Sequence, residues 1–206
     1  YLKVLGFWHK KRKVYKLVPI IGTIMESKEE NVLGLFFNNP AREWHFEEIL
    51  KEAKITRSKA DRWLKQFIKE GMVRRIKEQG KMPYYTVNYD SHSYKNRKKL
   101  FALGKLYDSG FLNHLASLPK AKTVIIFGSF ARSDWYADSD IDLFIYGEPE
   151  GLELAKYEIK LHRGIQVFAC HNNKELSKFG EGLLKNIVKG NLVKGDMDFL
   201  RVGINA

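Results

Sequence analysis

The chain has 206 residues, of which 44% are hydrophobic and 29% are charged, and its formal net charge at pH 7 is +12. This apolar content excludes a disordered or collagen-like chain, and no stretch approaches the ~20 apolar residues that a membrane span needs. The only cysteine, Cys170, excludes an internal disulfide and favours a reducing, cytoplasmic compartment.

The positive charge is concentrated in the first half of the sequence. Residues 1–100 contain 23 Lys and Arg against 11 Asp and Glu, whereas residues 101–206 contain 13 of each. This asymmetry predicts two domains with different electrostatic properties. A basic domain suits a polyanion, because contacts to phosphates release counterions. A solvated basic surface without such a ligand is the alternative.

Residues 1–27 are interpreted as a basic N-terminal arm with two short β-like runs. The basic residues 10–13 separate these runs, and they interrupt any signal-peptide core. A solvated turn or a phosphate contact is the preferred interpretation of this basic cluster, and a targeting signal is the alternative.

Residues 28–90 show the pattern of three helices followed by two strands. The helices are predicted around three apolar stretches at helical spacing, residues 32–37, 46–53 and 60–68. The strands are predicted at residues 72–76 and 84–87, around a loop that contains Gly80. The third helix, with Thr56 or Ser58 as N-cap, is expected to bury Ala60, Trp63, Leu64, Phe67 and Ile68.

This succession resembles the winged-helix family of DNA-binding domains over about residues 28–90. Residues 55–64 are similar to the recognition helix of that family, and residues 70–73 to the start of its β-wing. The resemblance implies a third helix in the major groove and wing arginines on the DNA backbone. The residues that it assigns to DNA binding are Arg57, Ser58, Lys59, Arg62, Lys65, Arg74 and Arg75. A winged helix that serves only dimerisation or protein contacts is the alternative.

Residues 91–120 are predicted to hold a linker and the first helix of a second domain at residues 121–206. The linker is expected near residues 91–99, because residues 94–99 are polar and basic. An apolar helical pattern follows up to Leu118, with a break near Gly110.

The second domain combines a glycine-serine turn with paired carboxylates. A buried strand ending at Phe127 runs directly into Gly128, which allows close backbone approach to a phosphate, and Ser129, which offers a hydroxyl and an N–H. The next strand starts near Asp140, so Asp140 and Asp142 are expected on one face. Two adjacent carboxylates suit Mg²⁺ (or Mn²⁺) shared with phosphate oxygens.

Gly128-Ser129, ten residues, and then Asp140-Ile141-Asp142 resemble the nucleotidyltransferase superfamily of DNA polymerase beta. Residues 130–132 and 138–139 are similar to its small branch, the minimal nucleotidyltransferases, which is related to the antitoxin partners of HEPN-type toxins. The resemblance covers about residues 100–200. The chain is therefore assigned to the α/β (α+β) class, with a winged helix followed by a small mixed-sheet domain.

The resemblance implies transfer of NMP from an NTP, ATP first of all, to a hydroxyl of a protein or a small molecule. It implies that Gly128 and Ser129 bind the triphosphate, and that Arg132 touches phosphate or orders the loop of this nucleotide-binding site. Asp140 and Asp142 are implied to hold the metal and carry the catalysis.

One position departs from the family pattern, which places a third carboxylate on the next strand. That strand is predicted at residues 164–170, and Gln166 occupies the matching position. A neutral amide binds a metal weakly and cannot act as a general base. Glu158 and His162 lie upstream, and they could take the place of the third carboxylate only if the strand register differs. Cys170 and His171 lack partners at the spacing that a metal or nucleophile site needs.

These observations leave three hypotheses. The first is a Mg²⁺-dependent nucleotidyltransferase with a DNA-binding domain. The second is a DNA-binding regulator whose degenerate transferase domain only binds nucleotide. The third is an antitoxin-like protein that masks a toxin partner. A homodimer is an expected state, because winged helices often pair on one DNA site.

Overall fold

The structure, a computed structural model, describes residues 28–203, and the predicted arm at residues 1–27 lies outside them. Residues 28–203 contain a three-stranded and a four-stranded sheet together with helices, which confirms the α+β class. None of the helices in this range has the length and apolar character that crossing a bilayer requires.

The first sheet and three helices form from residues 28–87. In chain order the elements are α1 (Lys28–Asn38), β1 (Trp44–His45), α2 (Phe46–Ala53), α3 (Arg57–Lys69), β2 (Val73–Ile76) and β3 (Tyr84–Val87). The strands are antiparallel in the order β1-β3-β2. The three predicted helices and two predicted strands are confirmed, whereas the two-residue strand β1 was too short to give a periodic pattern.

Apolar burial explains why these helices pack together. Phe36 and Phe37 of α1 are fully buried, and so is Phe67 of α3. The prediction that Ile68 is buried is wrong: it is 38% exposed, because it lies at the margin of the apolar face of α3. At the start of α2, the Glu48 carboxylate accepts a hydrogen bond from the His45 N–H at 2.9 Å and caps the helix.

Two further helices connect the sheets, α4 (His92–Asp108) and α5 (Phe111–Ser117). The residues expected as a polar linker form the first turns of α4, which starts after the N-cap Ser91. Tyr94 and Lys98 lie one turn apart on the same face of α4 and are both buried. This segment is therefore a helix with one packed face, although its sequence is mostly polar and basic. The domain limits stay predictions.

The second sheet is mixed, as predicted. Its elements are β4 (Ala121–Phe127), α6 (Gly128–Arg132), β5 (Ile141–Gly147), α7 (Leu154–Leu161), β6 (Ile165–Cys170), α8 (Asn173–Leu176), α9 (Glu181–Val188) and β7 (Asn191–Lys194), followed by a 3₁₀ helix (Asp198–Gly203). The strand order is β6-β5-β4-β7, with β5 and β6 parallel and the other pairs antiparallel.

Alternation along the strands gives this sheet two apolar faces. Ile141 and Leu143 belong to the core that continues into the N-terminal helices. Phe127 and Phe144 belong to a second cluster, which includes Ile187 of α9. Both faces are therefore covered over most of the sheet. At the start of β5 the cover is incomplete, because Asp142 is half-buried and Asp140, just before the strand, is exposed.

Candidate functional site

Asp142 lies directly beside the glycine that follows β4. Phe127 and Asp142 are opposite residues in the antiparallel pair β4–β5, so Gly128 is the next residue along. Gly128 has φ +68°, and a Cβ at this position would collide with Oδ2 of Asp142. Glycine adopts this backbone conformation at little cost, and it allows the carboxylate to approach this closely.

Asp140 lies against a second glycine, on the other side of β5. A Cβ at Gly164, the residue before β6, would collide with Oδ1 of Asp140. Ile141, between the two aspartates, is fully buried on the opposite face. The structure thus brings the two predicted carboxylates to one edge of the sheet, Asp140 exposed and Asp142 half-buried.

The electrostatics of the pair favour a bound cation. Partial burial raises the pKa of the Asp142 carboxyl, and the negative charge of Asp140 raises it further, while Arg132 acts in the opposite direction. Within residues 28–200, neither carboxylate has a hydrogen bond or an ion pair. The two negative charges are therefore left without direct compensation.

The other predicted triphosphate ligands lie on α6, close to Asp142. Ser129 is half-buried, and Arg132 is exposed. The Arg132 Nε donates a hydrogen bond to the Asp134 carboxylate at 2.9 Å. Arg132 is thus near enough to affect the charge of Asp142, but a phosphate would have to compete with Asp134 for it.

Gln166 occupies the third position, as the sequence predicted. In the parallel pair β5–β6, Asp142 and Gln166 are opposite residues, and they project to the same face. Glu158 does not take its place, because its carboxylate accepts a hydrogen bond from the Ile165 N–H at 3.0 Å. His162 is an exposed residue that ends α7.

The donors present fit Mg²⁺ or Mn²⁺ better than a cation that needs a full set of protein ligands. Across the described range 28–203, no group of three or more His, Cys, Asp or Glu side chains could hold a metal. Two carboxylates and an amide suit an ion that keeps its waters and shares substrate phosphates.

All the residues predicted to bind DNA are exposed. Some of them make ion pairs: Arg57 with Glu47 at 2.7 Å, Lys65 with Asp61 at 2.7 Å, and Arg74 with Asp90 at 4.0 Å. Among the described residues, no ion pair involves Lys59, Arg62 or Arg75. The face formed by α3 and β2 therefore carries uncompensated positive charge.

A separate cleft of about 810 Å³ lies between the two halves. Asn38 of α1, Phe101 of α4, Trp135 and Arg163 contribute to its lining, whereas Asp140 and Asp142 do not. Sequence reasoning missed Arg163 and Asn38, since neither stands in a motif. It also missed the role of Gly164, for which a glycine before a strand was the only signal.

Comparison with known proteins supports the C-terminal assignment. Residues 109–190 match the family model described as "Nucleotidyltransferase domain", and this range includes the Gly-Ser turn and both aspartates. A comparison with curated proteins found no match. A solved structure described as "Crystal structure of Apo (heme-free) PefR" is similar with a TM-score of 0.32 and 14% identity, covering 39% of this chain and 71% of that chain. A likeness of this size carries no argument about fold or function.

Proposed function

We propose that the C-terminal half binds a nucleoside triphosphate with Mg²⁺ or Mn²⁺, and that the N-terminal half binds DNA. The observation that carries the nucleotide site is the pair Asp140 and Asp142, held against Gly128 and Gly164, with two adjacent negative charges that raise the pKa of Asp142. The nucleotidyltransferase match over residues 109–190 supports the same ligand.

Each residue of the site has a distinct role in this proposal. Asp140 and Asp142 hold the cation, and the absence of a side chain at Gly128 leaves the space that the Asp142 carboxylate occupies. Ser129 and Arg132 contact the triphosphate. To do so, Arg132 gives up its hydrogen bond to the Asp134 carboxylate and binds phosphate in its place. A bound divalent cation would neutralise phosphate charge and polarise the phosphoryl oxygens.

Gln166 favours nucleotide binding over rapid transfer. For nucleotidyl transfer, the acceptor oxygen bonds to the α-phosphorus, the bond to the β-phosphate breaks, and pyrophosphate leaves. The proton of the acceptor hydroxyl must also be removed, and an amide cannot accept it. The site can therefore sense or hold a nucleotide even where chemistry is slow.

Transfer of NMP to a hydroxyl of a protein or small molecule is the second candidate. The observation in its favour is that both carboxylates of the Asp-x-Asp motif are present, with Asp140 close enough for its charge to raise the pKa of Asp142. Water or the acceptor itself would then have to take the proton that a third carboxylate usually accepts.

The N-terminal half supports the DNA-binding proposal through its topology and its charge. The order α1-β1-α2-α3-β2-β3, with a sheet in the order β1-β3-β2, supports the proposal that this half is a winged helix. The exposed face of α3 is basic, as a recognition helix requires. Dimerisation or protein contact through this half is the alternative, and an antitoxin-like role with a toxin partner stays a prediction.

The experiment measures nucleotide affinity by titration with a fluorescent ATP analogue, with and without Mg²⁺, followed by incubation with α-labelled ATP. We expect Mg²⁺-dependent binding that Asp142→Asn abolishes and that Glu148→Gln, an exposed carboxylate beyond the other end of β5, leaves unchanged. Binding without label transfer supports the first candidate, and label on an acceptor or on the protein supports the second. Absence of Mg²⁺-dependent binding would overturn both.

A further inference from the structure

Arg163 holds the loop that leads into Asp140. Its Nη1 donates hydrogen bonds to the carbonyl oxygens of Tyr136 at 2.7 Å, Ala137 at 2.8 Å and Ser139 at 3.0 Å. Ser139 is the residue immediately before Asp140, so the position of the first carboxylate depends on backbone atoms that Arg163 fixes.

The same loop is tied to the last residue of α1. Arg163 Nη2 donates to Oδ1 of Asn38 at 2.9 Å, and the carbonyl of Asn38 accepts a hydrogen bond from the Ala137 N–H at 2.8 Å. Asn38 therefore holds the loop twice, once directly and once through Arg163.

The surroundings of Arg163 make these contacts strong. Its guanidinium carbon lies 5.0 Å from the ring centre of Trp135 and 5.2 Å from that of Phe130. Burial lowers the pKa of the Arg163 guanidinium, with Asp138 acting against this effect. Charge-assisted hydrogen bonds away from bulk water are stronger than exposed ones, and their loss leaves carbonyl groups without partners.

The residue after Arg163 touches the site itself. Gly164 packs against the carboxylate of Asp140, and its carbonyl accepts a hydrogen bond from the Ile141 N–H at 2.9 Å. Residues 163 and 164 thus determine both the backbone before Asp140 and the space around its side chain.

We propose that Arg163 is a positioning residue for the Asp140–Asp142 pair, and that Asn38 makes the affinity of this pair for a divalent cation depend on helix α1. The inference rests on the proposed function, since it assumes that the pair binds a cation. Residues that orient metal ligands typically contribute about 10–100-fold to metal affinity. The coupling crosses from the basic half to the nucleotide half at Asn38, through its side chain to Arg163 and through its backbone carbonyl to Ala137.

The experiment uses the full chain and Mn²⁺ alone as the probe, with bound Mn²⁺ measured by electron paramagnetic resonance. We expect Arg163→Lys and Asn38→Ala to weaken Mn²⁺ binding about tenfold or more. Asn38→Ala removes only one acceptor and keeps the backbone contact to Ala137, so it tests the proposal even if the Arg163 variant does not fold.

Arg97→Ala is the matched control. Arg97 also contacts α1, through an ion pair with Glu29 at 3.3 Å, but it does not touch the loop. Normal Mn²⁺ binding by folded Arg163→Lys and Asn38→Ala, or equal weakening by Arg97→Ala, would overturn the proposal.

Hydrogen exchange of the Ala137 and Ser139 amides separates this inference from the proposed function. If the wild-type chain binds no Mn²⁺, the proposed function fails, and the positioning role is judged by exchange alone. Faster exchange in both variants than in Arg97→Ala would support the role of Arg163 and Asn38, and unchanged exchange would refute it.

Discussion

Asp142 and Gln166 are opposite residues on the parallel strands β5 and β6, and their side chains project to the same face of the sheet. A carboxylate at position 166 would stand beside the existing pair, where it could ligate a cation and accept a proton. Under the proposed function, the neutral amide at this position leaves the site without the group that would accept a proton from an acceptor hydroxyl.

Gln166→Glu is expected to strengthen Mn²⁺ binding and to raise label transfer from ATP. In the metal-free protein the same change should lower stability, because a third negative charge joins the uncompensated pair. Gln79→Glu in the exposed loop between β2 and β3 adds the same charge far from the site and serves as the control. Unchanged metal affinity in Gln166→Glu would show that position 166 does not face the cation.

Gly128→Ala is expected to remove metal binding and to destabilise the fold by more than the backbone penalty of about 1–2 kcal/mol. The added Cβ would collide with Asp142 in addition to adopting φ +68°. Gly80→Ala is the control, since Gly80 has φ +73° with nothing near its Cβ position. Urea unfolding and Mn²⁺ titration measure the difference, and equal losses in the two variants would contradict the proposed contact.

Asp142→Asn is expected to stabilise the metal-free protein at pH 7. The pKa of Asp142 is raised in the folded chain. At pH values between the pKa in the unfolded chain and the pKa in the folded chain, the folded state therefore binds more protons than the unfolded state. Stability contributed by the protonated form is therefore lost as pH rises through this window. The advantage of Asp142→Asn over wild type should vanish below the ordinary aspartate range, as urea unfolding at several pH values would show.

The exposed Asp138→Asn should not reproduce this behaviour. Addition of Mg²⁺ should invert the order, because a ligand that binds only the folded wild type stabilises it. An Asp142→Asn protein that is less stable than wild type without metal would show that the carboxylate is compensated.

Lys98→Met is expected to stabilise the chain by roughly 1–3 kcal/mol at pH 7. Lys98 is 2% exposed, with its Nζ 4.6 Å from the ring centre of Trp135. Burial lowers the pKa of Lys98 to about 8; Asp134 opposes this shift and Arg163 adds to it. The charged form is therefore disfavoured in the folded state despite the ring contact.

The pH profile gives an independent check on Lys98. Because the Lys98 side chain of the unfolded chain keeps its proton up to the ordinary lysine pKa of 10.5, wild-type stability should rise between about pH 8 and pH 10.5. Lys98→Met should lack this rise, whereas Lys95→Met, an exposed residue on the same helix, should retain it. Parallel profiles for wild type and Lys98→Met would refute the shift.

Lys59→Ala and Arg62→Ala are expected to weaken DNA binding several-fold and to reduce the salt dependence by about one unit each. Both residues lie on the exposed face of α3 without an ion pair among the described residues. Lys178→Ala in the C-terminal half is the control. Electrophoretic mobility shifts at several salt concentrations measure the effect, and unchanged binding in both α3 variants would exclude this face.

Local patterns were enough to predict the helices around Phe36, Ile49 and Phe67, because each buries an apolar stripe at helical spacing. Strand alternation was enough to predict the carboxylate pair, and the family resemblance was enough to place Gln166 on the strand beside it, opposite Asp142. Arg163 could not be found in this way, because its partner Asn38 lies 125 residues away in sequence. A contact of that kind exists only once the two halves have packed.

Helix α4 was misjudged for a related reason. Tyr94 and Lys98 stand in a polar stretch of the sequence. In the fold, Tyr94 packs against the ring of Phe37, and Lys98 packs against the ring of Trp135. Composition shows the polarity of a residue, whereas burial depends on which neighbours the fold brings to it.

Helix α4 contacts residues of both halves of the chain, and this has a practical consequence for the design of fragments. A cut at the apparent boundary near residue 99 would divide one helix and separate Phe37 from Phe101, which meet at 5.3 Å between ring centres. A C-terminal fragment would lose the contacts of Phe37 and Lys98 with Trp135, and newly exposed aromatic surface of this kind promotes aggregation. Fragments made to study either half alone should therefore keep α4 whole, and the intact chain remains the better reference for both halves.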